Sequence, residues 1–160
     1  MRRLSFALGL VSLLTLSSAA LAAAPTKAQP ALLKQTLSIS TRDGKSHVFD
    51  VEVATTGIEQ ETGLMFRKSV ALDGGMLFVW KGDQVSQMWM KNTLVPLDMV
   101  FIGRNGMVKA IVEHTVPESL AVISSQTPVH ATLELAGGTA ARLDIRVGDK
   151  VQCKALGNAP

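Results

Sequence analysis

The run from Leu97 to Ile102 constrains the fold most, because it is apolar on both parities of an extended strand. A strand with this pattern must be covered on both of its faces. Asp98 is the one polar residue in the run, and it shares a parity with Val100. A lone ionised carboxylate among apolar side chains is costly, so we expect Asp98 to be paired, hydrogen-bonded or open to a cleft.

Short alternating runs and turn signals predict further strands along the chain. Arg42-Asp43-Gly44-Lys45 and Arg104-Asn105-Gly106 are typical of hairpin turns. The predicted strands cover approximately residues 37–39, 49–53, 76–80, 85–91, 97–102, 107–114, 129–136 and 147–156. A turn at Lys81-Gly82-Asp83 is predicted between the third and the fourth of them. The pattern indicates a mainly β (α+β) fold, a compact antiparallel barrel or sandwich of about seven or eight strands with one or two short helices.

Two short helices are predicted between these strands. Thr56 and Glu59 have the spacing of a capping box, which predicts a helix over about residues 57–66. Residues 139–143 follow a Gly-Gly break and are long enough for one or two helical turns.

The N-terminus has the features of a secretory signal peptide. A basic start, an uncharged apolar stretch and small residues up to Ala22 predict cleavage after that residue. An uncleaved anchor is the alternative, but the apolar stretch is short for a membrane span. We therefore predict a signal peptide over 1–22, a flexible linker over 23–35, one β-rich domain over 36–156 and a tail over 157–160. The protein would be exported, to the periplasm or the outside, and not membrane-spanning when mature.

Composition narrows the partners of the mature chain. Removal of Arg2 and Arg3 leaves 14 basic residues against 13 acidic ones. No basic run or aromatic stacking platform is present in the sequence, so nucleic acid is not an expected partner. The single cysteine, Cys153, cannot form an intramolecular disulfide, and its strand pattern predicts a buried thiol; an exposed thiol that pairs between chains is the alternative.

An ordered set of fragments resembles the domain of unknown function 192 family, a family of small exported or membrane-attached proteins. The set begins at Gly63-Leu-Met-Phe-Arg67 and ends at Gly148-Asp149. Between them lie Gly75-Met-Leu-Phe78, Met90-Lys-Asn-Thr93, Pro96-Leu-Asp98 with Phe101, Pro117-Glu-Ser119 and Leu133-Glu-Leu-Ala-Gly137. The resemblance covers roughly residues 37–153 and implies one compact β-rich domain, without implying an activity.

A polar cluster is the leading candidate site. Arg67 is a plausible partner for Asp98, because its planar guanidinium matches a carboxylate. Such a pair would either fix the helix against the sheet or line a polar cleft. Asn92 and Thr93 follow a strand and would commonly bond local backbone, although they could also face that cleft.

Glu134 lies opposite in parity to Leu133 and Leu135, which favours a solvent-facing position. It could alternatively form an acid/base pair with Asp98 for hydrolysis of envelope polymers, if the two carboxyl groups approach each other across a cleft.

Met88 and Met90 share a strand parity, and thioethers suit Cu(I), although methionine more often fills cores. The three histidines lack the spacing of zinc sites.

We therefore predict a non-catalytic envelope binding or accessory domain that holds a small or extended polar ligand, such as a glycan or peptide. Its expected ligand-binding residues are Arg67, Asn92, Thr93, Asp98 and Glu134, with no catalytic residue, metal or cofactor. A hydrolase using Asp98 and Glu134 and a Cu(I)-binding protein using Met88 and Met90 are the alternatives.

Overall fold

Seven strands form one curled sheet in the computed structural model, which describes residues 24–159. The strands are β1 (Lys34–Ser40), β2 (Ser46–Ala54), β3 (Gly74–Met88), β4 (Leu97–Ile102), β5 (Val108–Val112), β6 (Ile123–Ala136) and β7 (Lys150–Cys153). The α-helices are α1 (Gly57–Thr62) and α2 (Thr139–Leu143), and a 3-10 turn (Lys154–Leu156) follows β7. The predicted signal peptide lies outside the described residues.

The sheet is mixed, with the strand order β5-β4-β6-β3-β2-β1-β7. Every pairing is antiparallel except that of β2 with β3, which is parallel because the chain crosses between these strands through α1. The prediction of a mainly β fold with about seven strands and two short helices is confirmed. Within residues 24–159, no helix is long and apolar enough to cross a bilayer.

The two outer strands approach each other, so the sheet closes into a half-barrel. Met107 and Lys150 form an antiparallel bridge, and Val151 N–H donates to the Gly106 carbonyl over 2.8 Å. An added Cβ at Gly106 would come within 2.5 Å of the Val151 oxygen, and its φ is +78°. This approach and this backbone conformation therefore suit only glycine.

The sheet is covered on both faces by separate apolar clusters. The inner cluster includes Leu37, Phe49, Val100 and Leu133, and Ala140 of α2 packs into it. The outer cluster contains Leu64, Met76, Phe78, Met90, Leu97, Met99 and Phe101. All six residues of β4 are buried, as their apolar pattern on both parities predicted.

The predicted strands over 76–80 and 85–91 are one strand, β3. The prediction of a turn at Lys81-Gly82-Asp83 is wrong, because the extra residues form a bulge instead. Val79 pairs with Ala131 and Gln84 with Val129, so six residues of β3 lie opposite three of β6. The long partner strand β6, which begins at Ile123, continues the pairing beyond the bulge.

Helix α1 has the predicted capping box but ends earlier than expected. Thr56 Oγ1 accepts from Glu59 N–H, and the Glu59 carboxylate accepts from Thr56 N–H over 2.9 Å. The helix stops at Thr62 because Gly63 leaves the helical region with φ of +47°. An added Cβ at Gly63 would lie 3.1 Å from the Phe78 ring, so the chain passes close to the sheet here.

The N-terminal segment contacts the same helix. Gln29 Nε2 donates to the carbonyls of Glu59 and Gly63 over 3.1 and 2.9 Å. Strand β1 begins at Lys34, which lies inside the segment 23–35 that was predicted as a linker. At the other end of the domain, Cys153 is buried and its thiol contacts Gln35 Oε1 at 3.4 Å.

Asp98 fixes α2 to the inner face of the sheet. Its Oδ1 accepts from the backbone N–H groups of His114 and Gly138 over 2.8 and 2.9 Å, and its Oδ2 accepts from Ala140 N–H over 2.7 Å. The side chain is fully buried. Three charge-assisted bonds to backbone donors offset the cost of burying this carboxylate and cap α2, for which no other side-chain cap is present among the described residues.

Replacing Asp98 with alanine should leave three buried backbone donors without acceptors. We expect Asp98→Ala to lower the free energy of unfolding by about 3–5 kcal/mol, measured by urea denaturation. Asp73→Ala removes an exposed carboxylate and should change the value by less than about 0.5 kcal/mol. Equal stability of the two variants would contradict this structural role.

Candidate functional site

A pocket of about 290 Å³ lies on the outer face of the sheet, beside α1 and the end of β3. This volume is at the lower end of the range of small-molecule sites. Three aromatic residues line it: Phe78, Trp80 and Trp89. The Phe78 and Trp80 rings are stacked, with centroids 6.0 Å apart and planes inclined by 28°.

Glu134 is the distinctive polar residue of this pocket. It lies on β6 between Met76 of β3 and Met99 of β4, and it is 4% exposed. Its carboxyl group has no hydrogen-bond partner among residues 24–159, and burial raises its pKa to about 8. At neutral pH the group is therefore largely a protonated acid, which can donate a hydrogen bond or release its proton to solvent when a cation binds beside it.

The prediction that Glu134 faces solvent is wrong. Its parity is opposite to that of Leu133 and Leu135, as expected, but that face of the sheet is also covered. Helix α1 and Leu64 pack over it, because the parallel crossover from β2 to β3 places this segment on the outer face. The side chain is consequently buried at the edge of the pocket.

The structure separates Asp98 from Glu134. Asp98 is paired with Leu135 and Met99 with Glu134, and adjacent residues of a strand point to opposite faces. The two carboxyl groups therefore lie on opposite sides of the sheet and cannot act as an acid/base pair across one cleft. The geometry required for the hydrolase hypothesis is absent.

Arg67 pairs with a carboxylate other than the predicted one. Its Nη2 lies 3.0 Å from Glu52 Oε2, and the same oxygen accepts from Leu32 N–H over 2.7 Å. The predicted Arg67–Asp98 pair is wrong, because Asp98 is on the inner face of the sheet. Arg67 and Glu52 line a separate pocket of about 130 Å³.

Asn92 and Thr93 lie close to the pocket, but only Thr93 lines it. Thr93 Oγ1 donates to the Lys91 carbonyl over 3.3 Å, which is the local backbone bond expected from the sequence. Asn92 has φ of +55°, and its Nδ2 contacts Met65 Sδ at 3.8 Å. The predicted cleft of Arg67, Asn92, Thr93 and Asp98 is thus not formed as one site.

Met88 and Met90 are placed differently. Met88 lines the pocket, whereas Met90 is fully buried and its Sδ accepts from Thr115 Oγ1 over 3.2 Å. Met65, which the sequence argument did not select, lines the pocket with Met88. Among residues 24–159, no group of three or more histidine, cysteine or acidic side chains could hold a metal ion.

Several pocket residues were missed from the sequence: Met65, Glu61, Trp80 and Trp89. Both tryptophans follow apolar residues, and the sequence pattern predicts only that they belong to strands. The signal that could have found them is the helix that follows β2, since a crossover helix covers the sheet and creates an edge where a pocket can form.

Residues 24–159 form a half-barrel domain with an aromatic, acidic pocket on its outer face. The chain belongs to the domain of unknown function 192 (DUF192) family, described as an uncharacterized ACR, whose match covers residues 38–153. This confirms the family resemblance seen in the sequence. No functionally curated protein matches the chain.

Two solved structures are similar to the chain over most of its length. One, from Sinorhizobium meliloti 1021, is named provisionally as a transcription regulator; it is 39% identical, with a TM-score of 0.77, and covers 79% of this chain and 98% of its own. The other is a protein of unknown function from Novosphingobium aromaticivorans DSM 12444. It is 38% identical, with a TM-score of 0.74, and covers 86% of this chain and 99% of its own.

The burial of Glu134 predicts a specific pH dependence of stability. The folded-state pKa of about 8 lies above the usual value of 4.5, so the unfolded chain releases this proton at lower pH than the folded protein. Stability should therefore fall by up to about 1.4 kcal/mol per pH unit as the pH rises from about 4.5 to 8, and then level off.

Glu134→Gln should remove this contribution while keeping the shape of the side chain. The variant should match the wild type near pH 4.5 and exceed its free energy of unfolding by a few kcal/mol at pH 8.5, in urea denaturation at each pH. Glu61→Gln replaces an exposed acid of the same pocket and should keep the wild-type pH dependence of the free energy of unfolding. Identical pH profiles for the wild type and Glu134→Gln would contradict the raised pKa.

Proposed function

We propose that this protein is a non-catalytic binding domain of the cell envelope, and that its site is the pocket beside Glu134. The observation that carries the proposal is Glu134, a residue only 4% exposed at the edge of an aromatic pocket, whose carboxyl group makes no hydrogen bond with residues 24–159. Buried polar groups are nearly always satisfied, so an unpaired one beside a pocket indicates a place where a ligand group binds.

The envelope location rests on the predicted signal peptide. Pocket size supports a small ligand or one side chain of an extended ligand, in keeping with the expected glycan or peptide. Catalysis has less support, because the two carboxylates of the hydrolase hypothesis lie on opposite faces of the sheet.

Transcription regulation, suggested by the name of the Sinorhizobium relative, is less favoured. The longest α-helix among residues 24–159 has six residues, which is short for a helix that reads the major groove. No lysine, arginine or histidine of residues 24–159 lines the pocket, and the exposed Glu61 carboxylate would repel phosphate groups.

Binding should be detectable with a set of small probes. We expect amide chemical-shift changes centred on Met65, Trp80 and Thr93 in two-dimensional NMR, when the mature protein is mixed in turn with alkylamines, alcohols, carboxylates, monosaccharides and tripeptides. The probe spectra should remain unchanged over hours, because the domain does not catalyse a reaction.

Trp89→Ala provides the matched test of the pocket. It should weaken the binding of the best probe about 3- to 10-fold, because it removes an aromatic wall. Leu120→Ala removes another large exposed apolar side chain, outside the pocket, and should leave the affinity unchanged. Shifts located elsewhere would overturn the site, and conversion of any probe would overturn the non-catalytic function.

Cu(I) binding is a second candidate function, supported by two thioethers in one pocket. Met65 and Met88 both line it, and sulfur donors suit Cu(I). If this function holds, anaerobic competition with bicinchoninate will show one bound equivalent that both Met65→Leu and Met88→Leu weaken. Met107→Leu, outside the pocket, is the control. Absence of stoichiometric uptake by the wild type would exclude it.

A further inference from the structure

The ionisable residues of the pocket are all acidic. Glu61 on α1 and Glu134 on β6 line it, and no lysine, arginine or histidine does so among residues 24–159. A site for an anionic ligand would normally contain a basic side chain that neutralises its charge. The charge of this pocket therefore favours a ligand with a positive group.

Glu134 distinguishes this pair from an ordinary acidic surface. Glu61 is exposed, so solvent weakens its field, whereas Glu134 is 4% exposed and lacks a hydrogen-bond partner among the described residues. A carboxylate in such surroundings interacts strongly with a cation placed beside it, because water screens the attraction poorly.

The aromatic walls add a second attraction for a cation. Faces of tryptophan rings attract ammonium and guanidinium groups. The Lys91 ammonium lies 5.0 Å from the centroid of the Trp89 ring, so the Trp80 ring is the tryptophan wall that Lys91 leaves open to a ligand cation. The stacked Phe78 and Trp80 rings and the Met88 thioether can accommodate an apolar stem.

We propose that the pocket recognises a cationic group on an apolar stem, with Glu134 as its counter-ion and the two tryptophans as its walls. This inference rests on the proposed function, since it names the ligand class of the same site. The cationic group can belong to a free alkylamine or to a basic side chain of a peptide, and the chemistry of recognition is the same.

Cation binding should be coupled to the loss of the Glu134 proton. Because its pKa is about 8, the Glu134 carboxyl group is largely protonated at neutral pH when no ligand is bound. The adjacent strands present Met76 and Met99 to Glu134, and neither residue titrates. The nearby charged groups are Glu61, the Arg67–Glu52 pair and Lys91; of these, only Glu61 lines the pocket.

Isothermal titration calorimetry with four probes tests the inference: butylammonium, N-acetyl-lysine amide, 1-butanol and butyrate. The two cations should bind more tightly than 1-butanol, and butyrate should bind most weakly. The affinity of the cations should rise up to about tenfold per unit from pH 6 to 8 and level off by pH 9, with proton release on binding below pH 8. Tighter binding of the lysine amide would indicate a peptide source, and tighter binding of butylammonium a free amine.

Glu134→Gln should weaken the binding of both cations at least tenfold at pH 8 and abolish the pH dependence, while changing the 1-butanol affinity less than twofold. Glu113→Gln, which removes an exposed acid outside the pocket, should behave as the wild type. Circular dichroism of each variant checks that it is folded.

Two results separate this inference from the proposed function. If 1-butanol or butyrate binds in the pocket as tightly as the cations, and Glu134→Gln has no effect, the pocket binds ligands but the cationic class is wrong. If none of the four probes binds, the cationic class is likewise overturned, and the wider probe set then decides whether the pocket is a binding site at all.

Discussion

Burial of the central strands on both faces is the constraint on which the rest of this structure depends. Strands β3, β4 and β6 lie between an inner cluster inside the half-barrel and an outer cluster beneath α1. Where both clusters cover these strands, a polar side chain needs a hydrogen-bond partner or an opening to solvent. Asp98 and Glu134 meet this constraint in opposite ways.

Asp98 accepts three backbone hydrogen bonds, so both of its carboxyl oxygens are satisfied within the fold. Glu134, on the neighbouring strand and the other face, makes no such bond with residues 24–159 and lies beside a pocket. The environment thus assigns different roles to two carboxylates whose positions in sequence look similar. A buried acid without hydrogen bonds inside the fold can still form a hydrogen bond or an ion pair with a ligand.

The sequence predicts those features that depend on local pattern or short range. The double-sided apolar run of β4, the hairpin turns and the capping box at Thr56 all agree with the structure. Predictions that depended on long-range placement were less successful. The turn at residues 81–83 became a bulge, because the long partner β6 keeps β3 paired on both sides of it. Glu134 alternates with apolar neighbours as an exposed residue does, but the crossover through α1 covers this face of the sheet and buries it.

The candidate site shows the same division. Thr93 and Glu134 were selected from the sequence and line one pocket, whereas Arg67 and Asp98 lie elsewhere. Their placement depends on which face of the sheet each residue occupies and which element covers that face. The spacing of residues along one strand predicts neither the face that a residue occupies nor the element that covers that face.

The bridge between Met107 and Lys150 has a consequence for how this domain meets other chains. In an open sheet, the outermost strands carry unpaired amides and carbonyls. A strand of another chain can form hydrogen bonds with them, which leads to fibres or swapped dimers. Here the two outermost strands hydrogen-bond to each other at one end. A further strand therefore cannot pair with the sheet at that end. Another chain that binds there must be recognised by side chains.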